Sequence, residues 1–346
     1  MAIYEIDPLS DVRWAELVES HPAGSLFHTR GWLQALRRTY DFEPAALTTS
    51  PPGEALNNGL VYCRVRSWLT GRRLVSLPFS DHCAPLVGDE GDLAELLEGF
   101  RARVRDGGYR YGEIRPCWET LNRPLEFGPG SRYVAHRLDL RVGADAVFRK
   151  FHKAGIQRKI RRAEREGVVV ERGNSAELVE EFYRLMTQTR RRHGLPPQPL
   201  DWFRNLVECL GEALTIWVAR KDGRAAASIV TGRHGRVVVY KYGASVARLH
   251  ALGCMPFLMW KATEDGVGRG MEWLDLGRSD EGQLGLIAFK DHLGAERSLI
   301  SYWRWPDGFG GGAGTGWGRK AMAGVCQRLP ERWLKSLGAA VYRHLG

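Results

Sequence analysis

Three polar side chains that could take part in chemistry lie at predicted strand ends or on a predicted helix. Lys290 follows a phenylalanine in AFKDHLG, Tyr242 ends a strand in YKYGAS, and Asp275 lies in WLDLGRSD. A lysine can stabilise the oxyanion of a tetrahedral intermediate, a phenol can hydrogen-bond an acceptor or a leaving hydroxyl, and a carboxylate can orient a neighbour or accept a proton. The structural alternatives are an exposed helix lysine, a core tyrosine and an aspartate that caps a turn.

A basic segment supplies a second kind of chemistry. AVFRKFHKAGIQRKIRRAEREG predicts one long helix with a cationic face, which carries Lys153, Arg158, Lys159, Arg161 and Arg162. A phosphate backbone would bind such a face with steep salt dependence. The alternative is a solvated face that Glu164 and Glu166 partly neutralise. The whole chain has 50 Lys plus Arg against 40 Asp plus Glu, a formal charge of +10, which makes a polyanionic partner plausible without proving one.

Length and composition indicate a folded protein with two cores. The 346 residues are 44% hydrophobic, and no apolar run approaches the length of a membrane span. We therefore expect a cytoplasmic protein. The six cysteines form no C-x-x-C pair and are expected to be reduced core thiols. The ten histidines form no H-x-x-x-H or H-E-x-x-H pair, so no metal site is predicted.

The order of predicted elements indicates an α/β protein of two tandem acetyltransferase-like (GNAT-like) domains, with mixed sheets flanked by helices. Residues 1–140 form the first domain and 141–306 the second. The second reads helix, strand, helix, helix, three meandering strands, helix, strand, helix, strand. Residues 307–346 are predicted as a glycine-rich linker and a C-terminal helix that packs back on the first domain. A dinucleotide-binding role for GTGWG is disfavoured, since no strand of a βαβ unit precedes it.

Seven segments in this order resemble the FemAB family of aminoacyl-tRNA-dependent peptidyltransferases. They are FHTRGW, SLPFSD, RKIRRAEREGV, TQTRRRHGLP, YKYGAS, WLDLGRSD and FKDHLG. The resemblance implies that Phe289 and Lys290 face an active-site channel. It also implies catalytic roles for Lys290, Tyr242 and Asp275, and a tRNA-binding role for the basic helix. The substrate-binding residues it implies are Trp32, Arg191, Arg192, Trp202, Tyr240, Arg278 and Phe289.

One departure from the family pattern concerns the acceptor. Members that use nucleotide-linked muramyl peptides have an arginine and a tyrosine four apart before a phenylalanine, whereas this chain has Gln198 and Trp202 before Phe203. The diphosphate clamp is therefore absent or moved to Arg190, Arg191 or Arg192. A lipid-linked, polysaccharide-linked or small-molecule amine acceptor becomes comparably plausible.

Three functions remain open from the sequence. The leading prediction is an aminoacyltransferase that uses aminoacyl-tRNA as co-substrate, with no cofactor and no DNA partner, in the cytoplasm or at the inner face of the membrane. An acyl-CoA-dependent N-acyltransferase is the alternative, although ARLHALGCMPFLMW has a single glycine, Gly253, where a CoA-binding loop carries more. The third is a non-catalytic RNA or precursor binder. The Trp and Arg content of the tail leaves peripheral membrane contact open.

Overall fold

The computed structural model describes residues 2–116, 123–308 and 323–345 and divides the chain into two compact units. Unit 1 comprises Met1–Tyr133, Leu299–Ala313 and Ala340–Gly346, and unit 2 comprises Val134–Ser298 and Gly314–Ala339. Most of the predicted glycine-rich linker, including GTGWG, lies outside the described residues. Within the described ranges, no helix is long and apolar enough to cross a membrane.

The described residues of unit 1 form a sheet with three α-helices and the end of a fourth. Its strands run in the order β1-β2-β3-β4-β5-β12, in which β4 and β5 are parallel and the pairs β1–β2, β2–β3, β3–β4 and β5–β12 are antiparallel. Leu60, Tyr62, Leu74, Phe100 and Ile114 pack in its core. The elements are β1 (Tyr4–Ile6), α1 (Val12–Ser20), α2 (Arg30–Tyr40), β2 (Glu43–Thr48), β3 (Leu60–Ser67), β4 (Gly71–Ser76), α3 (Glu90–Asp106), β5 (Tyr111–Ile114) and β12 (Glu296–Trp305), whose last seven residues belong to this unit.

Between residues 169 and 292 unit 2 has the predicted order of strands and helices, whereas the predicted long helix before this stretch is broken and most of the predicted closing strand belongs to unit 1. The strands of unit 2 run β6-β11-β10-β9-β8-β7, with β10 and β11 parallel. The Asp222-Gly223 turn between β8 and β9 has positive φ at both residues, which suits a tight hairpin. The elements are β6 (Gly128–Asp139, from Val134 in this unit), α4 (Ala144–Lys150), α5 (Arg158–Arg165), β7 (Val169–Gly173), α6 (Ala176–Arg192), α7 (Leu200–Leu210), β8 (Leu214–Lys221), β9 (Arg224–His234), β10 (Val237–Ser245), α8 (Cys254–Gly268), β11 (Trp273–Asp280), α9 (Leu284–His292) and a final helix (Glu331–Tyr342).

Two sequence predictions differ from the structure. The basic helix is not continuous: α4 ends at Lys150, a π-helical turn covers Lys153–Gln157, and α5 follows. The break coincides with a tertiary hydrogen bond from the His152 amide to the His292 carbonyl (2.8 Å), which periodicity does not reveal. Strand β6 was not predicted, although YVAHRLDL alternates as a strand does.

The domain boundaries also differ. The division falls at Tyr133, inside β6, rather than after Leu140, and residues 331–339 of the final helix belong to unit 2. Close packing explains the second difference, since a Cβ on Gly338 would lie 1.9 Å from the Pro197 carbonyl oxygen. Only the end of that helix, from Ala340, belongs to unit 1 as predicted.

Candidate active-site cavity

The cavity of unit 2 opens where two parallel strands separate. β10 and β11 are in register at Val237–Trp273, Val238–Leu274 and Val239–Asp275. The pairing of β10 with β9 then shifts by one residue between Tyr240 and Tyr242, which marks a bulge. Beyond it β10 continues to pair with β9 as far as Ser245, with no further register to β11 among the described residues. The divergence leaves a space of about 1060 Å³ beside β10.

The lining of this cavity is apolar with a cationic rim. α6, β10, the segment before α8, and α9 with the residues that precede it supply the walls. The apolar side chains include Met186, Leu249, Met255 and Phe289. The basic side chains are Lys159, Arg190, Arg192, His193, Lys241 and His250, and no aspartate or glutamate lines the cavity in the described part of the chain. The space therefore favours an anionic ligand with an apolar portion.

Tyr242 forms part of one wall. It is 7% exposed, and its hydroxyl accepts a hydrogen bond from Trp202 Nε1 at 2.8 Å. Phe203 meets its ring edge-on, with 5.2 Å between centroids. Trp202 is fully buried, so it positions Tyr242 and does not itself line the cavity. The hydroxyl of Tyr242 can still donate its own proton toward a ligand.

Tyr240 lies on the same strand and packs over a glycine. A Cβ at position 243 would be 2.1 Å from the Tyr240 hydroxyl, so Gly243 allows the ring to lie flat against β10. Burial raises the pKa of Tyr240 to about 12. This phenol is therefore protonated at neutral pH and acts as a hydrogen-bond donor.

A serine and a histidine that the sequence analysis did not single out form a hydrogen-bonded pair on the cavity wall. Ser245 Oγ lies 2.8 Å from His250 Nε2. Thr189 Oγ1 accepts from the Ser245 amide at 3.0 Å, and Arg192 Nη1 donates to the Ser245 carbonyl at 3.0 Å, so the end of β10 is fixed. Desolvation, followed by the charges of Arg192, Lys159 and His193, lowers the pKa of His250 below 6.5. The imidazole is therefore neutral at neutral pH and can accept a proton.

Lys290 and Asp275 contact the backbone of β11 around Gly277 instead of lining this cavity. Lys290 is 3% exposed, and its Nζ donates to the carbonyls of Gly277 (2.9 Å) and Arg278 (3.2 Å). Asp275 is also buried, and its Oδ1 accepts from the Gly277 amide at 2.7 Å. Gly277 has φ +67°, a conformation that favours glycine. The predicted catalytic role of both side chains stays a prediction, and the contacts above are structural.

Some of the remaining residues predicted to bind substrate line the cavity, and others do not. Tyr240, Arg192 and Phe289 line the cavity, and Arg278 lies beside Gly277 on β11. Arg191 points away, because its Nε donates to the Gln327 carbonyl at 3.0 Å. Trp32 lies in unit 1, fully buried and edge-on to Phe27 at 4.9 Å. Its burial supports a packing role instead of a substrate contact.

The predicted nucleic-acid residues form a separate basic hollow on α5. The hollow has a volume of about 770 Å³, and Arg158, Lys159, Arg161 and Arg162 line it together with Arg165. Glu166 is the acid on its wall, 3.8 Å from Arg162 Nε. Lys153 is exposed on the π-helical turn before α5. Lys159 lines both the hollow and the cavity, so the two spaces adjoin at this lysine.

The family-model comparison matches the part of the chain that builds this cavity. A model described as an acetyltransferase (GNAT) domain matches residues 149–291. A curated relative, the UDP-N-acetylmuramoylpentapeptide-lysine N(6)-alanyltransferase of Weissella viridescens, is 32% identical over 89 residues. The chain is FemAB-like. The curated match spans 25% of this chain and 26% of the relative, so it leaves most of both proteins unmatched.

Two solved structures extend the similarity of this FemAB-like chain to nearly its whole length. The crystal structure of FemX superposes with a TM-score of 0.66 at 14% identity and covers 87% of this chain and 97% of that one. A C-terminal domain of a putative lysylphosphatidylglycerol synthetase from Agrobacterium fabrum superposes with a TM-score of 0.56 at 16% identity. It covers 85% of this chain and 90% of that one. These likenesses confirm the predicted acetyltransferase-like α/β fold.

Proposed function

We propose that this FemAB-like chain forms an amide bond by moving an amino acid from aminoacyl-tRNA to an amine acceptor. The observation that carries the proposal is that the basic hollow on α5 and the cavity adjoin at Lys159, which lines both. A tRNA end needs both parts: cations for its phosphates, and an enclosed space for its terminal nucleoside and ester. The curated relative, an alanyltransferase that acts on a cell-wall precursor, agrees with this assignment.

The chemistry needs no covalent nucleophile, because an aminoacyl ester is already activated. The acceptor amine attacks the ester carbonyl and loses a proton, and the ribose hydroxyl leaves with a proton. The neutral His250, paired with Ser245, is the candidate proton acceptor, and the phenols of Tyr240 and Tyr242 are candidate hydrogen-bond donors. Lys241, also on β10, is the candidate cation for the developing oxyanion.

The acceptor is proposed as an amine of a cell-wall precursor. The curated relative acts on a muramoyl pentapeptide, and one fold neighbour bears the name of a lysylphosphatidylglycerol synthetase, whose product is a lipid. A lipid-linked precursor would combine both features. Since the arginine and tyrosine of the diphosphate clamp are replaced by Gln198 and Trp202, both buried, the acceptor site is proposed to differ from that of nucleotide-linked members.

An acyl-CoA donor is the second candidate, because the matching family model is an acetyltransferase domain. Such donors place a pyrophosphate on free amides at a helix N-terminus. At the start of α8, Gly253 packs against the backbone of α5, since a Cβ there would be 2.3 Å from the Lys159 carbonyl oxygen. Pro256 offers no amide in the first turn. These two features leave little room for a pyrophosphate, which favours tRNA.

Binding and transfer measured in parallel test the proposal. Purified protein would be titrated with charged tRNA, uncharged tRNA and acetyl-CoA across a salt series, and transfer of a labelled amino acid to a precursor amine would be followed. We expect charged tRNA to bind most tightly, and Lys159→Ala to weaken it. Lys261→Ala is the matched control, because Lys261 lies in unit 2, ion-paired to Glu264 outside the cavity. If acetyl-CoA binds saturably and charged and uncharged tRNA bind equally weakly, the donor is an acyl-CoA instead of aminoacyl-tRNA.

A further inference from the structure

The turn between β3 and β4 in unit 1 presents large apolar side chains to solvent. Trp68 is 85% exposed and Leu69 56% exposed, although tryptophan is highly buried on average in proteins. Both residues lie at the tip of a hairpin, where the chain reverses between Ser67 and Gly71. His344 and Leu345 lie next to this tip. The Trp68 ring contacts the His344 ring edge-on, with 5.4 Å between centroids, and Leu345 is 52% exposed.

The tip is held rigidly by its own hydrogen bonds. Ser67 Oγ accepts from the amides of Leu69 (3.1 Å) and Thr70 (2.9 Å), and it lies 3.0 Å from His344 Nδ1. Thr70 Oγ1 and Arg73 Nη2 both donate to the His344 carbonyl at 2.9 Å. Because the turn is fixed, the exposure of Trp68 is a property of the fold and costs no further ordering on binding.

Three exposed arginines lie around the tip. Arg72, Arg110 and Arg343 are exposed beside it. The Arg72 guanidinium lies over the Tyr109 ring, 4.9 Å from its centroid. The Arg72 carbonyl accepts a hydrogen bond from the Arg110 amide at 2.8 Å. Residues 60–80 contain four arginines and no acid. Glu43, an acid on the neighbouring strand, pairs with Arg66 at 3.4 Å.

We propose that the Trp68–Leu69 tip, together with the arginines beside it, docks this protein on an anionic lipid surface. Tryptophan and leucine insert shallowly at the level of the lipid headgroups, while arginines pair with phosphates. The exposed apolar tip is too small for a stable protein interface, which requires about 1,000 Å² of buried surface. This proposal concerns lipid binding and no step of the reaction, so it does not depend on whether the donor is aminoacyl-tRNA.

Vesicle co-sedimentation of the full chain tests the proposal. Vesicles of phosphatidylcholine alone are compared with an equimolar mixture of phosphatidylcholine and phosphatidylglycerol. We expect binding to the anionic vesicles that falls as salt rises, and at least about a tenfold loss of partitioning for Trp68→Ser with Leu69→Ser. Arg72→Gln with Arg343→Gln should lose about 30-fold on anionic vesicles, since each of the two cations contributes about 1 kcal/mol near such a surface.

A matched control distinguishes docking through the tip from nonspecific adsorption to vesicles. Trp333 is 57% exposed in unit 2, and Trp333→Ser should bind vesicles as the wild type does. Circular dichroism confirms that each variant is folded. The proposal is overturned if the wild type ignores anionic vesicles at low salt, if the tip variant binds like the wild type, or if Trp333→Ser loses as much. Loss of tRNA binding by the tip variant, with vesicle binding intact, would make the tip a nucleic-acid contact and also overturn it.

Discussion

Replacing Lys290 by methionine distinguishes a structural lysine from a catalytic one. The side chain is buried and bonds the carbonyls of Gly277 and Arg278, where β11 bends. Methionine has a similar length but no donor, so both carbonyls would lose this ammonium partner. An unsatisfied buried carbonyl costs about 1–3 kcal/mol. Two such losses, partly offset because no ammonium has to be desolvated, give a decrease of about 2–4 kcal/mol in the free energy of unfolding.

The assay is thermal unfolding combined with hydrogen exchange. For a unit of this size each kcal/mol shifts the Tm by about 2–4 °C, so a decrease of about 4–16 °C is expected. Exchange should rise in residues 273–280, the segment that the lysine fixes. Lys261→Met is the control, since Lys261 is partly exposed and ion-paired to Glu264, and its loss should cost less than about 1 kcal/mol.

Two outcomes would refute the structural interpretation of Lys290. One is an unfolding transition and exchange pattern like those of the wild type. The other is a variant that is as stable as the wild type but has lost aminoacyl transfer per folded molecule, which would establish a role in the reaction. A destabilised variant that keeps its transfer rate per folded molecule would instead identify Lys290 as the group that fixes the end of β11.

Three further predictions concern the cavity and its surroundings. His250→Gln should lower transfer about 100-fold; in the wild type the rate should fall as pH drops through the His250 pKa, which lies below 6.5, because the imidazole then becomes charged. Gly253→Ala should reduce the free energy of unfolding by about 2 kcal/mol or more, since φ is +79° and the Cβ would meet the Lys159 carbonyl. Replacing Arg158, Arg161 and Arg162 with glutamine should flatten the slope of tRNA affinity against salt by about 2–3.

Each of these predictions has its own control. A pH profile for His250→Gln that still breaks below pH 6.5 would show that another group titrates. Gly268→Ala, at the other end of α8 with no atom near its Cβ position, should leave stability unchanged or raise it. Arg269→Gln, an arginine of unit 2 ion-paired to Asp265, should leave the salt slope of tRNA affinity unchanged. An equal change in the control and in its partner would contradict the corresponding argument.

Local patterns in the sequence were sufficient to predict most helices and strands of unit 2. The meander β8–β9–β10 is marked by the DG and HG turns, and α8, β11 and α9 follow from apolar spacing. The break before α5 was not predictable, because a hydrogen bond to His292, distant in sequence, fixes it. The Ser245–His250 pair was missed for a similar reason. The two residues are five apart across a strand end and a short 3-10 helix, and no periodicity brings such residues together.

The candidate site was less predictable than the fold. The sequence FKDHLG identifies a lysine on a helix, but the direction of its side chain depends on the backbone at Gly277, which lies within β11, 13 residues earlier in the chain. Phe289 points to the cavity while its neighbour points to the strand end. Adjacent residues on a helix differ by about 100° in direction, so a motif places both on the same element without assigning either to a surface.

The separation of β10 from β11 has an evolutionary consequence. Past Val239 β10 keeps its pairing with β9 but has no register to β11 among the described residues, and the cavity lies beside this part of the strand. Strand pairing is made by peptide groups and depends little on which side chains the strands carry. A cavity formed by the course of two strands can therefore keep its shape while most residues change. Such drift is consistent with a shared backbone between this chain and FemX at 14% identity.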